Sequence, residues 1–163
     1  MFLVGASDPN LIPAAITIAI LVPAAVIDIR SRRIPDPFVL AAVGALLVTA
    51  GIASTLGSDV QAAGLAAGGT AMGAPILFLH LVSPAGMGFG DVKASVILGA
   101  GLGTTDWRLG LIALTIAAGI GALVGLGRRL TTIAFGPFLV FGAWLSVIAV
   151  ASGLTSTLTG ATP

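Results

Sequence analysis

Charge is what this 163-residue chain has least of: Asp, Glu, Lys and Arg together make up 8% of it, where a soluble domain carries about 25%. So few charges cannot cover the surface of a soluble domain of this size. Cysteine is absent, which excludes disulfides, thiol nucleophiles and cysteine metal sites. Glutamate is absent too, so all six acids are aspartates: Asp8, Asp28, Asp36, Asp59, Asp91 and Asp106. The single histidine, His80, argues against a histidine metal centre or a Ser-His-Asp triad. A net charge of +1 provides no strongly basic surface for nucleic acid. No basic stretch precedes the first apolar run, so the N-terminus does not read as a secretory signal.

What is there is apolar. Hydrophobic residues make up 57% of the chain, and the mean hydropathy is +1.15. Uncharged runs of 19 residues separate Asp8 from Asp28 and Arg108 from Arg128, and longer ones of 22 and 31 lie between Asp36, Asp59 and Asp91. After Arg129 the remaining 34 residues carry no charge. A helix needs about 20 apolar residues to cross the hydrocarbon core. The expected fold is therefore all-α, a polytopic membrane helix bundle of about six transmembrane helices, in one membrane domain over residues 1–163. The helices are expected at Leu11 to Ile29, Pro37 to Leu56, Val60 to Val82, Asp91 to Gly103, Trp107 to Gly127 and Pro137 to Gly153. A loose Ser/Thr/Gly-rich tail follows at 154–163.

The fourth run is short. Only 12 residues separate Lys93 from Asp106, a helical length of roughly 18 Å against a core of about 30 Å. Either this segment fails to span, or the charges at its ends sit close to membrane depth.

The cations set an orientation. Arg30, Arg32 and Arg33 follow the first helix, Lys93 the third, and Arg128 and Arg129 the fifth, so six of seven cations share one face. By the positive-inside rule that face is cytoplasmic and the N-terminus lies outside. The helices also carry small-residue pairs four apart, Gly64/Gly68, Gly69/Gly73, Gly99/Gly103 and Gly121/Gly125. Helix packing accounts for all of them.

An ionisable residue at the edge of a membrane segment is a functional candidate. Asp8, Asp59 and Asp106 fall on the outer side, and Asp106 reads as the N-cap of the fifth helix. Asp28, Asp36 and Asp91 share the cytoplasmic side. Asp28 closes the first apolar run; it is either an interfacial acid paired with Arg32 at i,i+4 or a working acid. Asp36 precedes Pro37 and reads first as an N-cap. Asp91 lies in Gly86-Met87-Gly88-Phe89-Gly90-Asp91-Val92-Lys93, where alternate glycines leave a backbone that side chains do not crowd. Asp91 either caps the fourth helix or serves chemistry, and the shortness of that helix favours chemistry. Lys93 sits unfavourably near a helix N-terminus, which a nearby acid, its own or a partner's, would relieve. His80 reads as a packed or interfacial residue.

Two carboxyl groups on one face form a catalytic kit. One, ionised, takes a proton from water, and the other, protonated, donates to the scissile carbonyl or the leaving amine. Such a pair needs no metal, thiol or other cofactor, and none is expected here.

The residues then reach a resemblance. Gly88-Phe89-Gly90-Asp91-Val92-Lys93 matches the GxGDxK motif of type IV prepilin peptidases. Asp28-Ile29-Arg30-Ser31-Arg32-Arg33-Ile34-Pro35-Asp36 resembles that family's first-aspartate motif, in which an Asp is followed six residues on by Ile-Pro-Asn. Phe135-Gly136-Pro137-Phe138 is similar to a Gly-Pro-Phe segment late in the family. The resemblance implies an aspartyl endopeptidase of the GxGD type in the inner membrane, with its site facing the cytoplasm. It would cut prepilin-like or pseudopilin-like proteins after a short basic leader. The catalytic pair carries over to Asp28 and Asp91. Gly88 and Gly90 would form the wall along which the unwound leader lies, Asp36 and Lys93 would support the site, and Lys93 would remain free to meet an acid. Position 36 departs from the family pattern, with Asp for the usual Asn. The long family forms carry an N-terminal domain with paired cysteines, linked to N-methylation. Ten residues precede the first helix here and cysteine is absent, so the expectation is the short, peptidase-only form. The competing readings are a small transporter or channel subunit, which would place its acids near the bilayer midplane, and a non-catalytic membrane assembly factor.

Overall fold

The computed structural model describes residues 10–31, 34–57, 60–84, 88–128 and 135–152. They form six helices: α1 (Leu11–Ser31), α2 (Asp36–Thr55), α3 (Ala62–Val82), α4 (Phe89–Gly103), α5 (Arg108–Arg128) and α6 (Gly136–Ala151). Each expected helix is present, with ends moved by one or two residues. Proline sits at the start of α2 and α6, where its missing N–H has no helical partner to lose. Asp8, Asp59, Arg32, Arg33, Arg129 and the tail at 154–163 lie outside the described residues.

Four helices, α1, α2, α3 and α5, are long and apolar enough to cross a membrane. α6 is apolar over 16 residues, and α4 has 15. Large apolar side chains such as Leu40, Leu47, Phe78 and Leu126 are exposed on the outer surface of the bundle, as a lipid-facing surface requires. The chain is a multi-pass helical membrane protein.

α4 is the hub of this bundle. It touches all five other helices, and ten of its residues are buried. A helix buried over most of its length among other helices need not match the bilayer thickness, which eases the difficulty posed by its length. α2 packs against α1 and α4 but, among the described residues, not against α3, its neighbour in sequence.

Glycine sets the α3–α4 distance. A Cβ on Gly103 would meet the carbonyl of Gly64 and come within 3.2 Å of the Gly68 Cα. One on Gly99 would meet the Gly68 carbonyl and lie 2.8 Å from the Met72 Cβ. Gly73 faces Val96 in the same interface. These pairs do the packing expected of them, since two backbones this close leave no room for side chains. Gly121 serves differently: it faces the Phe135 ring, which a Cβ there would approach to 3.2 Å.

The hydroxyls buried in the bundle are satisfied locally. Thr17 donates to the Pro13 carbonyl at 2.7 Å, Ser95 to Val92 at 2.9 Å and Ser146 to Gly142 at 3.0 Å. Thr104 Oγ1 lies 2.7 Å from both the Asn10 and Gly101 carbonyls. Asp106 Oδ1 accepts the Arg108 N–H at 2.9 Å, the cap foreseen for α5.

Asp36 is a correction. It is the first residue of α2, Pro35 occupies the cap position, and no side chain caps the helix. The Asp36 carboxylate turns instead to Lys93, whose Nζ donates to its Oδ1 at 2.7 Å. Pro35 places the chain in an extended conformation (φ −66°, ψ 132°), and this ion pair links α2 to the first turn of α4.

Candidate active site

Asp28 lies one turn before the end of α1, and Asp91 lies in the first turn of α4. α1 and α4 pack together, and the two side chains line one notch of 330 Å³ with Ile34, Gly88, Phe89, Gly90 and Lys93. Both aspartates are buried, 4% and 7% exposed. The cap position of α4 belongs to Gly88, with no side-chain cap bond, so Asp91 does not cap that helix. Its own N–H donates to the Gly88 carbonyl at 3.1 Å.

The pair departs from the rule followed by the hydroxyls. Asp28 Oδ2 and Asp91 Oδ1 are buried with no hydrogen-bond partner. A buried polar atom without a partner is costly, and each of the two aspartates that line the notch carries one such oxygen.

Two glycines make room for the pair. The backbone of Gly136, the first residue of α6, lies against both carboxyl groups. A Cβ at that position would stand 2.8 Å from Asp28 Oδ2 and 3.4 Å from the Ile34 Cδ1. On the other wall, a Cβ on Gly90 would lie 3.1 Å from the Ile34 Cβ and backbone nitrogen. Ile34, 8% exposed, is therefore seated between Gly90 and Gly136.

The structure thus brings Asp28, Gly88, Gly90, Asp91 and Lys93 to one notch, with Asp36 at its rim. Lys93 is not free, contrary to expectation: besides its pair with Asp36, its ammonium lies 5.5 Å from the centre of the Phe89 ring. That ring in turn meets His80 of α3 at 5.5 Å, the packed placement expected of the histidine. Arg32 lies outside the described residues, so its pairing with Asp28 is not among the observed contacts. Gly136 and Ile34 carried no role in the sequence reading. The signal for Gly136 was present: a Gly-Pro step opening the last helix lies on the same face as the two aspartates. Ile34 sat in the recognised segment, but its packing depends on contacts that only folding creates.

The chain matches the type IV leader peptidase family over residues 15–126, which is most of its length and includes both aspartates. It belongs to that family. Over 78 residues it is 35% identical to the prepilin leader peptidase/N-methyltransferase of Aeromonas hydrophila, and equally to that of Aeromonas salmonicida. The shared stretch covers 44% of this chain and 26% of each relative, so the chain matches about a quarter of the length of these curated relatives. No solved structure matches it.

Proposed function

We propose that the chain is an aspartyl endopeptidase that removes leader peptides from prepilin-like membrane proteins, with Asp28 and Asp91 as its catalytic residues. The observation that carries this reading is two buried aspartates lining one notch, each with a carboxyl oxygen that has no partner. Family membership and the printed names of the relatives support the substrate class.

In the proposed reaction a water lies between the two carboxyl groups. The ionised one takes a proton as the water oxygen attacks the scissile carbonyl carbon. The protonated one donates to the carbonyl oxygen, giving a tetrahedral diol. Collapse of the diol breaks the C–N bond: the protonated carboxyl group gives its proton to the leaving amine, a diol hydroxyl gives its proton to the ionised one as the new carbonyl forms, and the pair again holds one proton. Burial helps because two adjacent carboxyl groups away from bulk water resist double ionisation. Gly88 and Gly90 border the notch without side chains, leaving their backbone open to an extended substrate strand.

In this reading the site lies at the cytoplasmic edge of the inner membrane. Both acids lie within one turn of a helix end, as a substrate entering from an aqueous face requires, and the cations flank that end. A transporter would hold its acids near mid-helix.

The test is reconstitution with a prepilin-like substrate and detection of the trimmed product by mass spectrometry. Cleavage by the wild type, lost in both Asp28→Asn and Asp91→Asn, supports the assignment. Full activity in either variant would overturn it.

A further inference from the structure

We infer that Asp36 is a specificity-determining residue: it receives a cationic side chain from the cytoplasmic flank of the substrate, and Lys93 occupies it until substrate arrives. The inference rests on the leader-peptidase reading above and adds what the rim of that site selects.

Asp36 differs from the catalytic pair in every respect that matters for recognition. Its side chain is 69% exposed while Asp28 and Asp91 are buried. Among the described aspartates it is the exposed one. It serves no cap. It follows Ile34, which lines the notch, by two residues, and its partner Lys93 lines the same notch. An incoming chain that reaches the carboxyl pair therefore passes beside the Asp36 carboxylate.

The chemistry of that incoming chain follows from general membrane topology. A protein cut at the cytoplasmic edge of its membrane segment carries Lys or Arg on that flank by the positive-inside rule. Asp36 supplies an acceptor at the rim. The Lys93 ammonium, 37% exposed, holds an ion pair that water already reaches. Pairs of that kind are weak, so an arriving ammonium can replace Lys93 at little cost, and an arginine can add a second parallel hydrogen bond.

A purely structural role for the ion pair, tying α2 to α4, makes a different prediction. Losing either partner would then affect every substrate alike and in the same direction. Recognition predicts opposite directions, because Asp36→Asn removes the acceptor whereas Lys93→Gln removes its competitor.

The experiment uses the full chain in lipid nanodiscs and one single-span prepilin-like substrate in three versions, with lysines, glutamines or glutamates in the leader. The readout is the ratio of kcat/KM for the lysine leader to that for the glutamine leader, which is independent of how much of each variant is folded. The wild type should favour the lysine leader by about 2- to 5-fold. Asp36→Asn should bring the ratio close to one, Lys93→Gln should widen it, and Asp36→Lys should favour the glutamate leader. Equal rates on all three leaders in the wild type, or a ratio unchanged in both Asp36→Asn and Lys93→Gln, would overturn the inference and leave the peptidase assignment standing. No cleavage of any leader by the wild type would overturn both.

Discussion

The two ends of α4 are both rich in glycine, and the glycines do opposite things. At the far end Gly99 and Gly103 admit the backbone of α3, and the neighbouring Thr104 hydroxyl closes on backbone carbonyls. That end is packed backbone against backbone. At the near end Gly90 admits Ile34, and Gly136 across the notch admits the Asp28 carboxyl group. There the space freed by glycine goes to polar atoms, two of which have no partner. Glycine at one end of the helix serves close packing, and at the other it makes room for buried carboxyl groups where chemistry is proposed.

The comparison predicts that substitutions at the two ends fail in different ways. The largest effect is expected from Asp28→Asn and Asp91→Asn. Each should lower leader cleavage by about 10³-fold or more, since Asn keeps the shape but cannot move a proton. Thermal unfolding in detergent should show these variants at least as stable as the wild type, because an amide is cheaper to bury than a charged carboxylate. Destabilisation of both would mean that the aspartates are structural and the two ends alike.

Gly136→Ala comes next. The added Cβ would displace the Asp28 carboxyl group, and a misplacement on the order of 1 Å costs about 10²-fold in rate. The drop should appear in kcat under saturating substrate, with the unfolding temperature little changed. A stability loss without a rate loss would place Gly136 with the packing glycines.

Gly103→Ala tests the other end. Overpacking against the Gly64 carbonyl should cost about 1–3 kcal/mol of stability, seen as a lower unfolding temperature. Cleavage per folded molecule should be retained. A rate loss at full stability would show that the far end also belongs to the catalytic machinery.

Asp36→Asn should have the smallest effect on stability, within about 1 kcal/mol, because the ion pair it removes is exposed. Asn also restores the residue usual for the family. Cleavage should survive this change, unlike Asp28→Asn. A loss as deep as that variant's would make Asp36 one of the two working acids.

The number, order and approximate ends of the helices were legible from the sequence, because charges are excluded from apolar spans and proline and glycine mark helix ends. So was the candidacy of Asp28 and Asp91, through the motifs around them. The arrangement of the helices was not. α3 packs along α4 while α2, next to α3 in sequence, makes no contact with α3 among the described residues, and nothing in the apolar pattern distinguishes those outcomes. In a soluble helix the apolar stripe shows which face turns inward. In a membrane the outward face is apolar as well, so the stripe vanishes and partner choice depends on shape. The same limit hid the Lys93–Asp36 pair, whose members are 57 residues apart, and the seating of Ile34 between Gly90 and Gly136. The sequence by itself determined what crosses the membrane and which acids stand at its edge. Only tertiary packing, by bringing the starts of α4 and α6 against the end of α1, decided that two of those acids share a notch while the third pairs with a lysine at its rim.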